Sequence, residues 1–276
     1  MTFFELQKLF PTEEAVIKHF IKIKYCNGAY CHCCGSLNVY HRQNTPKRFQ
    51  CRDCKNSFSI FTNTIFEGTS TCLVKWMYAI HLLLNGKKGI SGLQLQREIG
   101  GGYKTCWRML KQIRLAMNDA DRAEFAGFIF EIDETYVGGK PRKFANGKNI
   151  DPNVKRGRGT KKIPVIGVLD RANKRVFAKV ATMNKDGKKL TGKQLMAVLN
   201  EVVKTPSQII TDEFRSYNIL KSTEHMHYVI DHSKGYVDFN DKALHTNGIE
   251  SFWATLKRGV YGVYHHISAK YLCKYP

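Results

Sequence analysis

Apolar residues recur at helical spacing through much of the first half of the chain, break into short strand-like runs after Phe128, and return to helical spacing after His245. Phe3, Phe4, Leu6, Leu9 and Phe10 are followed by a Pro11-Thr12-Glu13-Glu14 helix start, with Val16, Ile17, Phe20 and Ile21 beyond it. This pattern predicts two short helices. Trp76, Ala79, Ile80 and Leu83 form the next helical face. Ser91 then stands as an N-cap before a helix over 93–99, Gly100-Gly101-Gly102 makes a turn, and a second helix starts near Lys104 with Thr105, Trp107, Leu110, Ile113 and Met117 on it. Two helices joined by a glycine turn make a helix-turn-helix pattern, and a plain helical hairpin is the plainer alternative.

The period changes in the second half. Residues 128–132, 163–169, 176–181, 208–211 and 227–230 read as strands, and an amphipathic helix over 194–203 lies between the third and fourth. Three strands, a helix and two further strands predict a mixed sheet with helices on its faces, an α/β domain. The stretch HTNGIESFWATLKRG at 245–259 closes the pattern: Ile249, Phe252, Trp253, Leu256 and Val260 make one apolar stripe. Glu250 and Lys257 stand seven residues apart on the border of that stripe, roughly 10 Å along a helix axis. A capping box, with Asn247 as N-cap and Glu250 folding back onto the backbone, is the structural alternative for the acid.

Charge changes the picture. Across 276 residues the formal net charge is +21, which points to a polyanionic partner. Membrane is disfavoured, because no apolar run approaches a bilayer span and no basic amphipathic anchor stands out. Arg108, Lys111 and Arg114 on the second helix of the turn motif become candidates for DNA contact. The segment 138–162 holds Lys140, Arg142, Lys143, Lys148, Lys155, Arg156, Arg158, Lys161 and Lys162 against one acid, Asp151. A basic run directly after an acidic strand favours a clamp on phosphate backbone over a solvated face. The opening MTFFELQKLFPTEE has no basic start followed by an apolar core, so no signal peptide is expected. The protein is expected in the cytoplasm, associated with the nucleoid, or in the nucleus of a eukaryotic host.

Nine cysteines in such a chain favour metal over disulfides. Cys31/Cys34 and Cys51/Cys54 are two Cys-x-x-Cys knuckles around a loop of strand character. Four thiolates at this spacing suit one tetrahedral, structural Zn²⁺. Cys33 is expected free, and Cys26 is an outlying ligand candidate.

The acids carry the chemistry. Phe130-Glu131-Ile132-Asp133 puts Asp133 at the end of the first strand, and Ile209-Ile210-Thr211-Asp212 puts Asp212 at the end of the fourth. Sheet sites collect ligands at strand tips, and Glu250 arrives from the late helix. Three converging carboxylates repel unless cations offset them. Hard oxygen ligands select Mg²⁺ or Mn²⁺, and two such ions about 4 Å apart suit phosphodiester displacement. Alternation turns Glu134 and Glu213 to the opposite face from Asp133 and Asp212, making them poorer candidates. Glu131 shares the face of Asp133 but lies one step inward.

DETYVGGK at 133–140, TDEFRSY at 211–217, the HSKGYVD run from His232 and HTNGIESFWATLKRGVYGVYHHIS at 245–268 resemble the DDE transposases of the insertion-sequence group related to Merlin elements. The cysteine knuckles and the GISGLQLQREIG and KTCWRML segments are similar to that group's N-terminal half. The resemblance covers nearly the whole chain. It implies a ribonuclease H-like catalytic domain over 127–276, behind N-terminal helices and a zinc ribbon over 1–62 and a helix-turn-helix region over 70–120. It implies two-metal cleavage of element ends and their joining to target double-stranded DNA by a homo-oligomer. Asp133 and Asp212 match the first two acids; Glu250 fits the third, with Asn247 an alternative because some members carry asparagine there. Lys257 and Arg258 would hold DNA phosphates near the metals. Chains of the group usually run on past KYLCKYP, so a shortened copy is expected. The competing functions are a DNA-binding regulator with an inactive catalytic domain and a nuclease that cleaves without joining.

Overall fold

The structure, a computed structural model, describes residues 1–42, 45–118, 125, 127–138, 144, 146, 162–181, 190–239, 241–265 and 267–273. It divides into two compact units, 1–116 and 117–276.

The first unit opens with α1 (Phe3–Leu9) and α2 (Glu13–Lys24). Thr2 and Glu5 form a capping box on α1, and the Thr12 hydroxyl accepts the Ala15 N–H at the start of α2. Strands β1 (Val39–His41), β2 (Arg48–Cys51) and β3 (Ser57–Ser59) make an antiparallel ribbon. Helices α3 (Leu73–Asn85), α4 (Gly92–Ile99) and α5 (Tyr103–Asn118) follow. The ribbon and the helices set apart at 62–70 in the sequence share one core, running from Leu6 through Phe49 and Phe58 to Trp76, Leu95 and Ile113. Glu13 ties the pieces together: its Oε1 accepts the Leu73 N–H at 3.0 Å and pairs with Lys47 Nζ at 2.9 Å. The α4–α5 turn is built as its glycines dictate. Gly100 and Gly101 take φ of 70° and 91°, a region closed to most side chains, and Gln96 Nε2 donates to Gly101 O at 2.9 Å.

In the second unit, β4 (Ile129–Val137), β5 (Ile163–Asp170), β6 (Arg175–Val180), β7 (Gln208–Asp212) and β8 (Met226–Ile230) form a sheet of order β6-β5-β4-β7-β8. The first three pair antiparallel, and β4–β7 and β7–β8 pair parallel. This is the mixed, ribonuclease H-like sheet that the resemblance implied. Helix α6 (Gly192–Val202) and the 3-10 helix Arg215–Ser222 cover one face through Phe130, Ile132, Ile166, Leu195, Leu199 and Tyr217. Helix α7 (Asn247–Gly259) covers the other through Val137, Val165, Ile249 and Trp253. Even positions of β4 therefore face α6 and odd positions face α7. The chain closes with a π-helical turn, Val260–Tyr264, and α8 (Ala269–Leu272).

One boundary differs in a way that matters. The first strand does not stop at Asp133. Its ladder with β5 continues to Val137↔Ile163, so Asp133 stands in the middle of a nine-residue strand. Antiparallel pairing with an apolar neighbour carries the polar DETYV stretch on, against its local look. Among the described residues no helix is long and apolar enough to cross a membrane.

Candidate active site

The β4–β7 ladder runs in parallel register up to Glu131↔Ile210. Two residues further along each strand stand Asp133 and Asp212, and Asp212 is the last residue of β7. The two acids thus emerge level with each other where one strand ends and its neighbour goes on. Oxygens of Asp133, Glu134 and Asp212 all lie within 4.8 Å of one another. Asp133 Oδ1 accepts the Glu134 N–H at 2.8 Å, and Asp212 Oδ1 accepts the Phe214 N–H at 3.0 Å.

Glu134 corrects the expectation drawn from alternation. Its side chain does leave on the α6 face, where the buried Tyr217 hydroxyl donates to its Oε2 at 3.0 Å. Because β7 stops at Asp212, no further β7 residue screens that edge of β4, and the Glu134 carboxylate joins the aspartates. Glu213 is exposed and outside the cluster. Burial raises Asp133 to about 6, with the Asp212 charge second and the Glu250 charge also contributing. Tyr217 is pushed well above its ordinary value, by burial first and the Glu134 charge next, so it stays a hydrogen-bond donor.

Glu250 comes from the first turn of α7, and its carboxylate is not among those three. Its Oε1 accepts the Thr246 hydroxyl at 3.0 Å and lies 3.7 Å from His232 Nε2. The capping box with Asn247 does not form. Asn247 is the first helical residue and is exposed, and Thr246 takes the N-cap place without a side-chain cap bond. The helix start is held instead by Glu131, 1% exposed, whose Oε2 accepts the Ile249 N–H at 2.9 Å. Glu131 Oε1 pairs with Arg171 Nε at 2.7 Å. Further along, α7 rests on Gly167, the β5 partner of Asp133. Lys257 and Arg258 are exposed in the last turn of α7.

Sequence reasoning passed over Glu134, Tyr217, Glu131 and Arg171 as site residues. Tyr217 and His232 lay inside quoted motifs, TDEFRSY and HSKGYVD, so a signal existed for them. The Glu131–Arg171 pair spans 40 residues and leaves no local trace.

In the first unit Cys31, Cys34, Cys51 and Cys54 bring their sulfurs within 4.8 Å of one another. Sγ–Sγ distances are 3.6 Å for Cys31–Cys54 and 3.7 Å for Cys34–Cys51. Cys26 and Cys33 are exposed and outside the group. On α5, Arg108 is exposed, with Nη2 3.3 Å from Glu67 O. Lys111 is half-buried, its ammonium 5.8 Å from the Trp107 ring centre. Arg114 is a correction: it follows Leu110 by one turn on the buried face of α5, is 6% exposed and donates to Ile90 O at 3.3 Å. It braces the helical core and does not present itself to DNA. Lys155, Arg156 and Arg158 lie outside the described residues.

Residues 124–276 match the ISXO2-like transposase domain. An uncharacterized protein in transposable element ISH50 of Halobacterium salinarum is 30% identical over 271 residues, covering 92% of this chain and 87% of that protein. An uncharacterized transposase-like protein of Haemophilus influenzae is 38% identical over 64 residues, 23% of this chain and 50% of that protein. Among solved structures, a pre-cleavage Mos1 transpososome aligns with 66% of this chain and 76% of its own at 10% identity and a TM-score of 0.25. The Mos1 strand transfer complex aligns with the same shares at 12% identity and a TM-score of 0.24.

Proposed function

This chain belongs to the ISXO2-like transposase family, and from that premise we propose that it binds the ends of its own element as double-stranded DNA, cuts them and joins them to target DNA. The observation that carries the proposal is the gathering of Asp133, Glu134 and Asp212 oxygens within 4.8 Å. Acids so close, one of them raised to about 6, fit a site meant for cations: hard oxygen donors held in mutual repulsion. Asp133, Asp212 and Glu134, with Glu250 or Asn247 from α7, would hold two Mg²⁺ or Mn²⁺. Such ions supply Lewis-acid activation of the attacking oxygen and stabilisation of the leaving one.

The chain's own groups do the rest. Lys257 and Arg258 on α7 hold backbone phosphates beside the acids. Arg108 and Lys111 on α5 contact the end sequence, and the basic segment 138–162, Lys155, Arg156 and Arg158 included, grips phosphate. The four-cysteine group holds a structural Zn²⁺ that fixes the ribbon. Two chains acting on paired ends make the working form a homo-oligomer.

The test is a strand-transfer assay with DNA carrying the element's terminal repeats and Mg²⁺. Cleaved ends joined to target DNA are expected from the unaltered chain. Asp133→Asn and Asp212→Asn should each abolish both steps with affinity for the end DNA retained. Cleavage surviving in both variants removes the site, and cleavage without joining turns the reading into a nuclease.

A further inference from the structure

The turn between β5 and β6 carries a side chain whose three guanidinium nitrogens all donate. Arg171 Nε donates to Glu131 Oε1 at 2.7 Å, Nη1 to Ala243 O, and Nη2 to His245 Nδ1 at 2.9 Å and His245 O at 2.7 Å. The turn that launches it is itself fixed. Asp170, fully buried, accepts from Gly127 N, Ala172 N and Asn173 Nδ2, and Arg171 N donates to Ile129 O. The guanidinium therefore ties residues 243–245, the chain just ahead of α7, to the sheet. The partner carboxylate continues the tie, because Glu131 Oε2 accepts the Ile249 N–H at 2.9 Å. Glycine at 248 permits that approach: a Cβ there would stand 2.9 Å from Glu131 Oε2. Asn247 and Glu250 lie between and beside these two anchor points.

We propose that Glu131 and Arg171 are positioning residues of the transposition reaction: together they lock the first turn of α7 against β4, and so set where Asn247 and Glu250 stand relative to Asp133. Glu131 and Asp133 sit two apart on the same face of β4, so one strand presents both a site acid and the acid that places the helix. An ion pair with its acid end buried makes sense here. Two ends of one ion pair hold two backbone segments, which a hydrophobic contact would hold with less directional definition. The inference rests on the proposed reaction, but its first readout does not.

The experiment uses the full chain with Arg171→Gln, Arg171→Lys, and the double variant Glu131→Gln/Arg171→Met, which leaves no lone buried charge should Arg171→Gln fail to fold. Amide hydrogen exchange in the metal-free protein reads the lock directly. Exchange over 245–250 should accelerate about tenfold or more, while β4 and β7 amides keep their protection. On end DNA, the Mg²⁺ concentration for half-maximal cleavage should rise ~10-fold or more, as when outer-shell partners of ligands are lost, with DNA affinity in EDTA unchanged. Arg171→Lys should recover only part of both effects, since an ammonium cannot span the four acceptors that the guanidinium reaches. Unchanged exchange at 245–250, or acceleration spread evenly over the sheet, overturns the proposal. So does altered exchange with an unaltered Mg²⁺ requirement. If the unaltered chain cleaves nothing, the proposed function fails, and the exchange result alone then decides whether the lock exists.

Discussion

At Asp133, burial and a neighbouring acid act in the same direction. The carboxyl rises from 3.8 to about 6, so between those values the folded, metal-free protein holds a proton that the unfolded chain has released. Stability of the metal-free form therefore falls as pH rises from near 4 through 6, and remains lower above it. The shift corresponds to about 3 kcal/mol at most, and partial solvent access reduces it to about 1–2 kcal/mol. Asp133→Asn should thus raise the melting temperature of the metal-free protein at pH 7, leave it nearly unchanged at pH 4, and remove the stabilisation that Mg²⁺ gives. An equal effect at both pH values would mean that the site acid carries no electrostatic strain. Asp133 and Asp212 were legible because each follows an apolar run that marks a strand. Glu134 was not, since alternation fixes only where a side chain leaves the strand, and where its carboxylate ends depends on a neighbouring strand stopping at Asp212. Tyr217 supplies a second residue-scale test. Tyr217→Phe removes the donor to Glu134 Oε2 with little change of volume, and should cost about 1–3 kcal/mol of stability from the lost buried hydrogen bond to a carboxylate. It should also weaken Mg²⁺ binding by ~10-fold, measured by titration calorimetry; unchanged binding would place Glu134 outside the metal site.

Helix α7 is the element on which the site closes, and its seat is a glycine. A Cβ on Gly167 would stand 2.5 Å from Trp253 Cζ2 and 2.9 Å from Ile249 Cδ1. An indole cannot swing aside as a lysine tip can, so Gly167→Ala must lift α7 from the sheet. The expected cost is about 1–3 kcal/mol of stability, as for other overpacked cores, and a larger proportional loss of cleavage, because Glu250 and Lys257 move with the helix. Thermal melts and the cleavage assay together check this; a full-activity variant would show that α7 need not sit tightly. The existence of α4, α5, α6 and α7 was readable from apolar spacing, and so was the turn at Gly100 and Gly101. The length of β4 was not, because its second half is polar in sequence and strand only through pairing with β5. The capping box that stands as the alternative at the start of α7 does not form for a related reason: such a box is a local signature, and the Ile249 N–H is instead accepted by Glu131 on a distant strand.

Across the whole molecule, the sequence separates a ribbon over 1–62 from helices over 70–120, but one hydrophobic core runs through both. Buried Cys31 and Cys51 belong to that core together with Phe49, Phe58 and Trp76. Metal held by the four sulfurs would then stabilise the helices as well as the ribbon, since ligand binding free energy is folding free energy for every segment that unfolds with the site. Spacing alone could not reveal this, because Cys-x-x-Cys knuckles specify a site and say nothing of what packs on its strands. A zinc-selective chelator, with Mg²⁺ left in place, should melt residues 1–116 as one transition, with loss of α3–α5 helical signal and of end-DNA affinity. The α/β unit should keep its own transition, and Cys51→Ser should reproduce the result. On the proposed function, the DNA affinity lost should be strongly salt-dependent: with Lys+Arg at 44 against Asp+Glu at 23, phosphate contacts would carry it, and 6–10 of them would weaken binding about 10³–10⁵-fold between 50 and 200 mM salt. Ribbon melting with α3–α5 intact would instead restore the three-domain arrangement that the sequence suggests.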